Sequence, residues 1–414
     1  MHVLSYRPRL VDSPLAELIR ELPAVLLVGP RAVGKTTTAL RAAASVARLD
    51  REAEAAAFDA DPDSALRGLA EPVLLDEWQA VPSVLGAVKR AIDEEPRPGR
   101  FLLTGSVRAD LEAQTWPGTG RLVRLTMSSL TRREIDGEAP APPLIDRLVE
   151  RGAAKLSLPE RVPDLREYVE LALSGGFPEP ALRLAAAARD RWYDGYVDQL
   201  LTRDATQVGA ERDPIRLRRY FEALALNTAG VVDDKKLYDT AGINAKTAAA
   251  YERLLTNLLV VEAIPAWTTN RLKRLTRSAK RYVVDPALVA ATLRMDVDAV
   301  LKDGDLMGRL LDTFVVAQLR AEVPVSGLRP RLYHLRAEQG RHEVDIILEL
   351  AGHRVVGIEV KADAAPGGKA AQHLGWLRAV LGERFIAGVV LHTGPRTFEL
   401  DEQITAVPIC ALWG

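Results

Sequence analysis

One cysteine, Cys410, stands among 414 residues, so no disulfide can close within the chain and a reducing compartment is expected. An excess of charge of either sign is missing too. The 55 Lys plus Arg against 56 Asp plus Glu give a net charge of −1, so no overall basic field advertises nucleic acid. Any such site must be a local patch. The six histidines are scattered without ligand spacing, which argues against zinc. No apolar run approaches the ~20 residues of a membrane span. Arg7, Arg9, Asp12, Glu17, Arg20 and Glu21 interrupt the start of the chain, so no signal-peptide core is expected there and the cytoplasm is the expected location. What remains is 48% hydrophobic and 27% charged. That excludes a disordered chain, a collagen-like fibre and a disulfide scaffold. At about 150 residues per domain, the length suggests two to four domains.

Three segments are expected, at 1–160, 161–295 and 296–414. In the first, the apolar runs Ala24–Val28, Val73–Leu75 and Phe101–Leu103 read as buried strands between helical stretches, which predicts α/β architecture with a parallel sheet and flanking helices. Pro140, Pro142 and Pro143 mark a linker or loop. The second segment is mostly helical. In the third, a helix at Gly308–Glu322 precedes extended runs at Val344–Leu350, Val355–Val360 and Ala387–Leu391.

Directly after the first strand comes Gly29-Pro30-Arg31-Ala32-Val33-Gly34-Lys35-Thr36, a Walker A pattern followed by Thr37 and a helix expected to run to Ala44. The glycines let backbone N–H groups turn toward phosphate oxygens, Lys35 would reach the β- and γ-phosphates, and Thr36 would offer its hydroxyl to Mg²⁺. The helix N-terminus would add its positive end. Val73-Leu74-Leu75-Asp76-Glu77 has the Walker B form: Asp76 would fix Mg²⁺ and Glu77 would polarise the attacking water. The third strand ends in Thr104-Gly105-Ser106, where Thr104 or Ser106 would act as a γ-phosphate sensor, Ser106 being counted with Glu77 and Lys35 as catalytic. Arg108 and Arg121 are the candidate arginine fingers.

With Tyr6-Arg7-Pro8-Arg9, Leu75-Asp76-Glu77-Trp78-Gln79, Leu103-Thr104-Gly105-Ser106, Gly175-Gly176-Phe177-Pro178-Glu179 and Arg203-Asp204, these motifs resemble prokaryotic AAA-type P-loop ATPases that carry a C-terminal domain of unknown function. The resemblance runs over nearly the whole chain. It implies ATP and Mg²⁺ as ligands and a winged-helix element between ATPase and tail.

The residues of the middle segment give the same element independently. Leu217–Thr228, Lys235–Thr240 and a third helix capped by Asn244 are followed by strands at Val260–Ile264 and Arg281–Val284. Between the strands lie Arg271, Lys273, Arg274, Arg277, Lys280 and Arg281 with no acid from 270 to 281, a basic wing suited to the phosphate backbone of double-stranded DNA. In the tail, Asp345 at the head of one strand and Glu359 and Lys361 at the end of the next resemble the PD-(D/E)XK, restriction-endonuclease-like core. There a carboxylate pair would hold Mg²⁺ and the lysine would assist an attacking water. Asp312 stands on the upstream helix where that core more often has Glu.

The expected function is an ATP-binding, Mg²⁺-dependent AAA-type ATPase whose ATP/ADP state controls the winged-helix and nuclease-like region. Two alternatives stay open: a non-catalytic nucleotide-gated DNA-binding switch, such as a toxin–antitoxin or defence component, and an ATP-gated DNA nuclease. A protein partner or a homo-oligomer is open alongside DNA, and no membrane partner is expected.

Overall fold

The computed structural model describes residues 6–106, 120–139, 141–204, 213–269, 278–337 and 340–414. They form two compact units, Met1–Ser129 with Leu254–Val260, and Leu130–Arg253 with Val261–Gly414.

The first unit is built on five parallel strands in the order β2-β3-β4-β1-β5: β1 (Ala24–Val28), β2 (Ser45–Arg48), β3 (Val73–Asp76), β4 (Phe101–Gly105) and β5 (Leu122–Thr126). β1, β3 and β4 are buried on both faces, as helix-covered parallel strands must be, and their unbroken apolar runs made them legible. β2 and β5 escaped notice for the converse reason. They are the two edges, half exposed, and carry Ser45, Arg48 and Arg124 in place of an apolar run. The helix Val84–Glu94 buries Val84, Leu85, Ala87, Val88 and Ile92 in the same core as Leu26, Leu75 and Leu103, the three-and-four spacing of an amphipathic helix.

The second unit begins with helices. Leu165–Ser174 opens on a capping box between Asp164 and Glu167. Gly175 then turns with φ of 63°, where a Cβ would sit 2.1 Å from the Tyr193 hydroxyl, and Gly176 N–H donates to Asp285 at 2.9 Å. The Gly-Gly-Phe-Pro-Glu stretch is therefore a packing turn. Phe177 is buried against Trp192, Tyr193 and Tyr196 of the helix Ala186–Gln199. Pro214–Leu226, Asp234–Ala241 and Ala245–Asn257 follow, then the antiparallel pair β6 (Val261–Ile264) and β7 (Lys280–Val283), the order expected from the sequence. Gly242, at φ 66°, ends one helix, and Asn244 starts the next by accepting from Thr247 N–H at 2.9 Å.

A six-stranded mixed sheet completes this unit in the order β12-β13-β11-β10-β9-β8. Its strands are β8 (Arg331–Ala337), β9 (His342–Glu349), β10 (Val355–Val360), β11 (Phe385–His392), β12 (Phe398–Asp401) and β13 (Ile404–Pro408). β9 and β10 are antiparallel as expected, with Ile346 opposite Ile358, while β10, β11 and β13 run parallel. Alternation along the strands feeds two cores. Ile346, Leu348, Val356 and Ile358 meet Leu311, Val315 and Leu319 of the helix Gly304–Glu322. Ile347, Val355 and Val390 meet Leu374 and Leu377 of the helix Gly368–Leu381.

Candidate functional site

Two clusters of chemistry-bearing side chains form, one in each unit. In the first, the loop Gly29–Gly34 leaves β1 and turns into the helix Lys35–Ala39. That helix ends five residues earlier than expected: after Ala39 the chain turns and is already in β2 at Ser45. A helix this short has little macrodipole, so an anion bound here would rest on loop amides rather than on a long dipole. The loop needs its glycines for different reasons. Gly34 sits at φ 96°, and a Cβ on Gly29 would lie 2.2 Å from the Met127 carbonyl oxygen. Ala32 also holds a left-handed φ, of 61°, without a glycine's freedom.

Lys35 is buried and its Nζ donates to the carbonyls of Gly29 at 3.0 Å and Pro30 at 2.8 Å. Burial pulls its ammonium down to about 8, against the opposing pull of Glu77 and Asp76. Thr36 Oγ1 donates to Asp76 Oδ1 at 2.7 Å, so the two expected Mg²⁺ residues adjoin. Thr37 is exposed beside them. Both sensor candidates reach the Walker B carboxylates. Thr104 Oγ1 donates to Asp76 Oδ1 at 2.5 Å and accepts from Glu77 N–H at 3.3 Å, while Ser106 Oγ lies 3.5 Å from Glu77 Oε2. Glu77 itself holds φ 53°, and the Gln79 amide donates to its carboxylate.

Sequence reasoning missed Gln79 as a partner of Glu77, and it quoted Arg9 without a role. Arg9 is buried and donates from Nη1 to the Val33 carbonyl and from Nη2 to the Ser128 carbonyl, each at 2.8 Å, a strut between the phosphate loop and the segment after β5. Its Arg-Pro-Arg context gave no hint of this. Of the finger candidates, Arg121 is ion-paired with Asp93, and Arg108 lies outside the described residues.

In the second unit, β7 does not present its basic residues as expected. Lys280 is buried: its Nζ donates to Asp312 Oδ2 at 2.5 Å and Asp345 Oδ1 at 3.2 Å. Arg281 is ion-paired with Glu252 at 2.7 Å and with Asp234. These two members of the basic wing are thus committed inside the protein, because alternation along a strand sends Lys280 and Tyr282 to one face and Arg281 to the other. Arg271, Lys273, Arg274 and Arg277 lie outside the described residues.

The expected nuclease-like residues do come together. Asp345 and Glu359 lie one position beyond the last registered pair of β9 and β10. Asp345 Oδ2 accepts from Val360 N–H at 3.0 Å, Lys361 Nζ donates to Glu359 Oε2 at 2.6 Å, and Tyr282 hydroxyl donates to Asp312 at 3.1 Å. Burial and the neighbouring Asp345 push Glu359 up to about 8, with Lys361 pulling it back. Burial likewise raises Asp312 to about 6 against the pull of Lys280. For Asp345 burial is outweighed by Lys280 and Lys361, which hold it below the usual carboxylate range. The cluster opens on a cleft of about 430 Å³ whose walls include Arg309, Arg336 and Glu343. The donor set does not suit a divalent metal: each of its three carboxylates is already paired with an ammonium, Asp312 and Asp345 with Lys280 and Glu359 with Lys361. Among the described residues no group of three or more His, Cys, Asp or Glu is placed to hold a metal ion.

The smaller candidates are packed. His392 accepts from Gly394 N–H at 3.0 Å through Nδ1, His334 Nε2 lies 3.1 Å from the Ser278 carbonyl oxygen, and Cys410 is buried. Among the described residues no helix is long and apolar enough to cross a membrane.

Three stretches of the chain are similar to known families. Residues 21–136 match the family described as AAA domain, residues 165–299 a domain of unknown function (DUF8612), and residues 307–412 a second one (DUF4143). Two uncharacterized proteins, from Mycobacterium bovis and Mycobacterium tuberculosis, are each 29% identical over 399 residues, covering 95% of this chain and 82% of theirs. A solved Walker-type ATPase of Pyrococcus abyssi aligns with a TM-score of 0.43 at 15% identity, covering 69% of this chain and 94% of that one. The N-terminal unit thus combines a phosphate-loop sequence and a parallel five-stranded sheet with a match to the AAA domain family, which supports a P-loop ATPase.

Proposed function

We propose that this protein is a magnesium-dependent ATPase whose nucleotide state governs its winged-helix and nuclease-like C-terminal region. The observation that carries the ATPase reading is the contact set around Asp76, which joins Thr36 of the phosphate loop and Thr104 of the sensor strand through one carboxylate oxygen. Loop amides and Lys35 would hold the phosphates, with Thr36 and Asp76 as the magnesium residues. The metal, when bound, supplies neutralisation of phosphate charge. Glu77, which accepts from the Gln79 amide and adjoins Ser106, would orient a water and take its proton. The buried Lys35 ammonium, drawn down to about 8, would stay charged at neutral pH and be held so more firmly beside phosphate oxygens.

Coupling to the C-terminal unit is supported by the path of the chain, which passes between the two units at Ser129/Leu130, Arg253/Leu254 and Val260/Val261. DNA is the favoured target through Arg271, Lys273, Arg274 and Arg277, since Lys280 and Arg281 are committed to internal pairs. The non-cutting switch is the reading of that region that the ion pairs favour. Phosphate release from Mg²⁺–ATP, with and without duplex DNA, tests the whole. Turnover that duplex DNA accelerates at low salt, with the acceleration lost when the four basic residues are neutralised, is the expected result. No release under either condition contradicts the ATPase reading, and release indifferent to DNA contradicts the coupling.

A further inference from the structure

We propose that Lys280 is the resident cation of the Asp312–Asp345 cluster: its ammonium takes the place of a divalent metal and fastens β7 to the helix Gly304–Glu322 and to β9. Three observations carry this. The ammonium sits 2.5 Å from Asp312 and 3.2 Å from Asp345, so one cation is shared by two carboxylates from different elements. The second oxygen of each carboxylate is engaged within the protein, by the Tyr282 hydroxyl for Asp312 and by Val360 N–H for Asp345. The third carboxylate, Glu359, has its own ammonium in Lys361 at 2.6 Å. A divalent ion on Asp345 would stand against a buried positive charge in a low dielectric, where like charges repel strongly. Lys280 and Tyr282 share a face of β7, so a two-residue spacing delivers both the cation and the hydroxyl to one carboxylate.

The consequence is a C-terminal unit whose clustered carboxylates serve as an ion-paired clasp. The inference rests on the ion pairs and not on ATP turnover, so failure of either leaves the other standing.

The test counts Mn²⁺ ions bound to the full-length, nucleotide-free protein by electron paramagnetic resonance. Wild type and Asp345→Asn are expected to bind the same number. Lys280→Met is expected to bind one more, and Lys280→Met with Asp345→Asn to lose it again. Lys280→Met is also expected to lower Tm by roughly 5–10 °C, since a buried pair is broken from one side, with Lys280→Arg recovering most of that loss. The comparison of wild type with Asp345→Asn needs no change at Lys280, so it decides even if Lys280→Met fails to fold. A Mn²⁺ site in wild type that Asp345→Asn abolishes, metal-dependent nicking of duplex DNA with the same dependence, or a folded Lys280→Met that gains no site would each overturn the proposal.

Discussion

Glu77→Gln is expected to slow ATP turnover by about 10²–10⁴-fold, the range a general base contributes, while ATP binding is retained. The substitution keeps the shape of the side chain and an oxygen to accept from the Gln79 amide. The backbone of residue 77 stays tied to Thr104 Oγ1 through its N–H at 3.3 Å. What disappears is the carboxylate charge that polarises water. The hydrogen bonds of Lys35 to the loop carbonyls do not involve Glu77, so a single-turnover measurement with an equilibrium binding titration separates the two effects. Equal losses of binding and turnover would place Glu77 in nucleotide recognition instead.

The largest expected effect on stability lies elsewhere, at Arg133. This residue and Glu322 are among the most buried charges of the second unit, 1% and 2% exposed, and pair at 2.7 Å. The guanidinium also donates to the carbonyls of Glu138 at 3.1 Å and Pro142 at 2.9 Å, and Glu322 accepts from Leu144 N–H at 2.8 Å. One ion pair thus ties the proline-marked loop to the end of the helix Gly304–Glu322. Arg133→Met strands the Glu322 carboxylate in an apolar core, and a loss of about 3–5 kcal/mol is expected, read as a lower denaturant midpoint with an unchanged slope. Because the cost is that of an orphaned charge, Arg133→Met with Glu322→Leu is expected to recover much of it. A double variant as unstable as the sum of the singles would show no coupling between the two residues and contradict the orphaned-charge account.

These two sites differ in how far the sequence reveals them. The phosphate-binding unit was readable because its chemistry is local. Gly34, Lys35 and Thr36 follow one another just after β1, while Asp76 ends β3 and Thr104 lies near the end of β4, the strand that parallel pairing sets between β3 and β1. What stayed hidden there were edge strands without apolar runs and the strut from Arg9, whose acceptors are backbone carbonyls with no signature in residue type. The second unit was readable in outline for the same reason. Asn244 and Gly242 punctuate its helices, and the turn at Ala351-Gly352-His353 between two extended runs reads as joining an antiparallel pair. Lys280 was misjudged because a run of basic residues reads as one solvated face until strand alternation is applied to it. Even then, its partner Asp312, 32 residues on, is a tertiary fact. Arg133 and Glu322, 189 residues apart, left no local trace at all.

The central claim, that the phosphate loop holds ATP through Lys35 with Mg²⁺ on Thr36 and Asp76, is tested most directly by calorimetric titration of ATP into the wild-type protein and Lys35→Ala, each with and without Mg²⁺. The account predicts saturable binding by wild type that Mg²⁺ strengthens, and binding by Lys35→Ala at least about tenfold weaker, the 1.4 kcal/mol or more expected of a charge-assisted hydrogen bond. Equal affinity in the two proteins, or no heat with either, would contradict it.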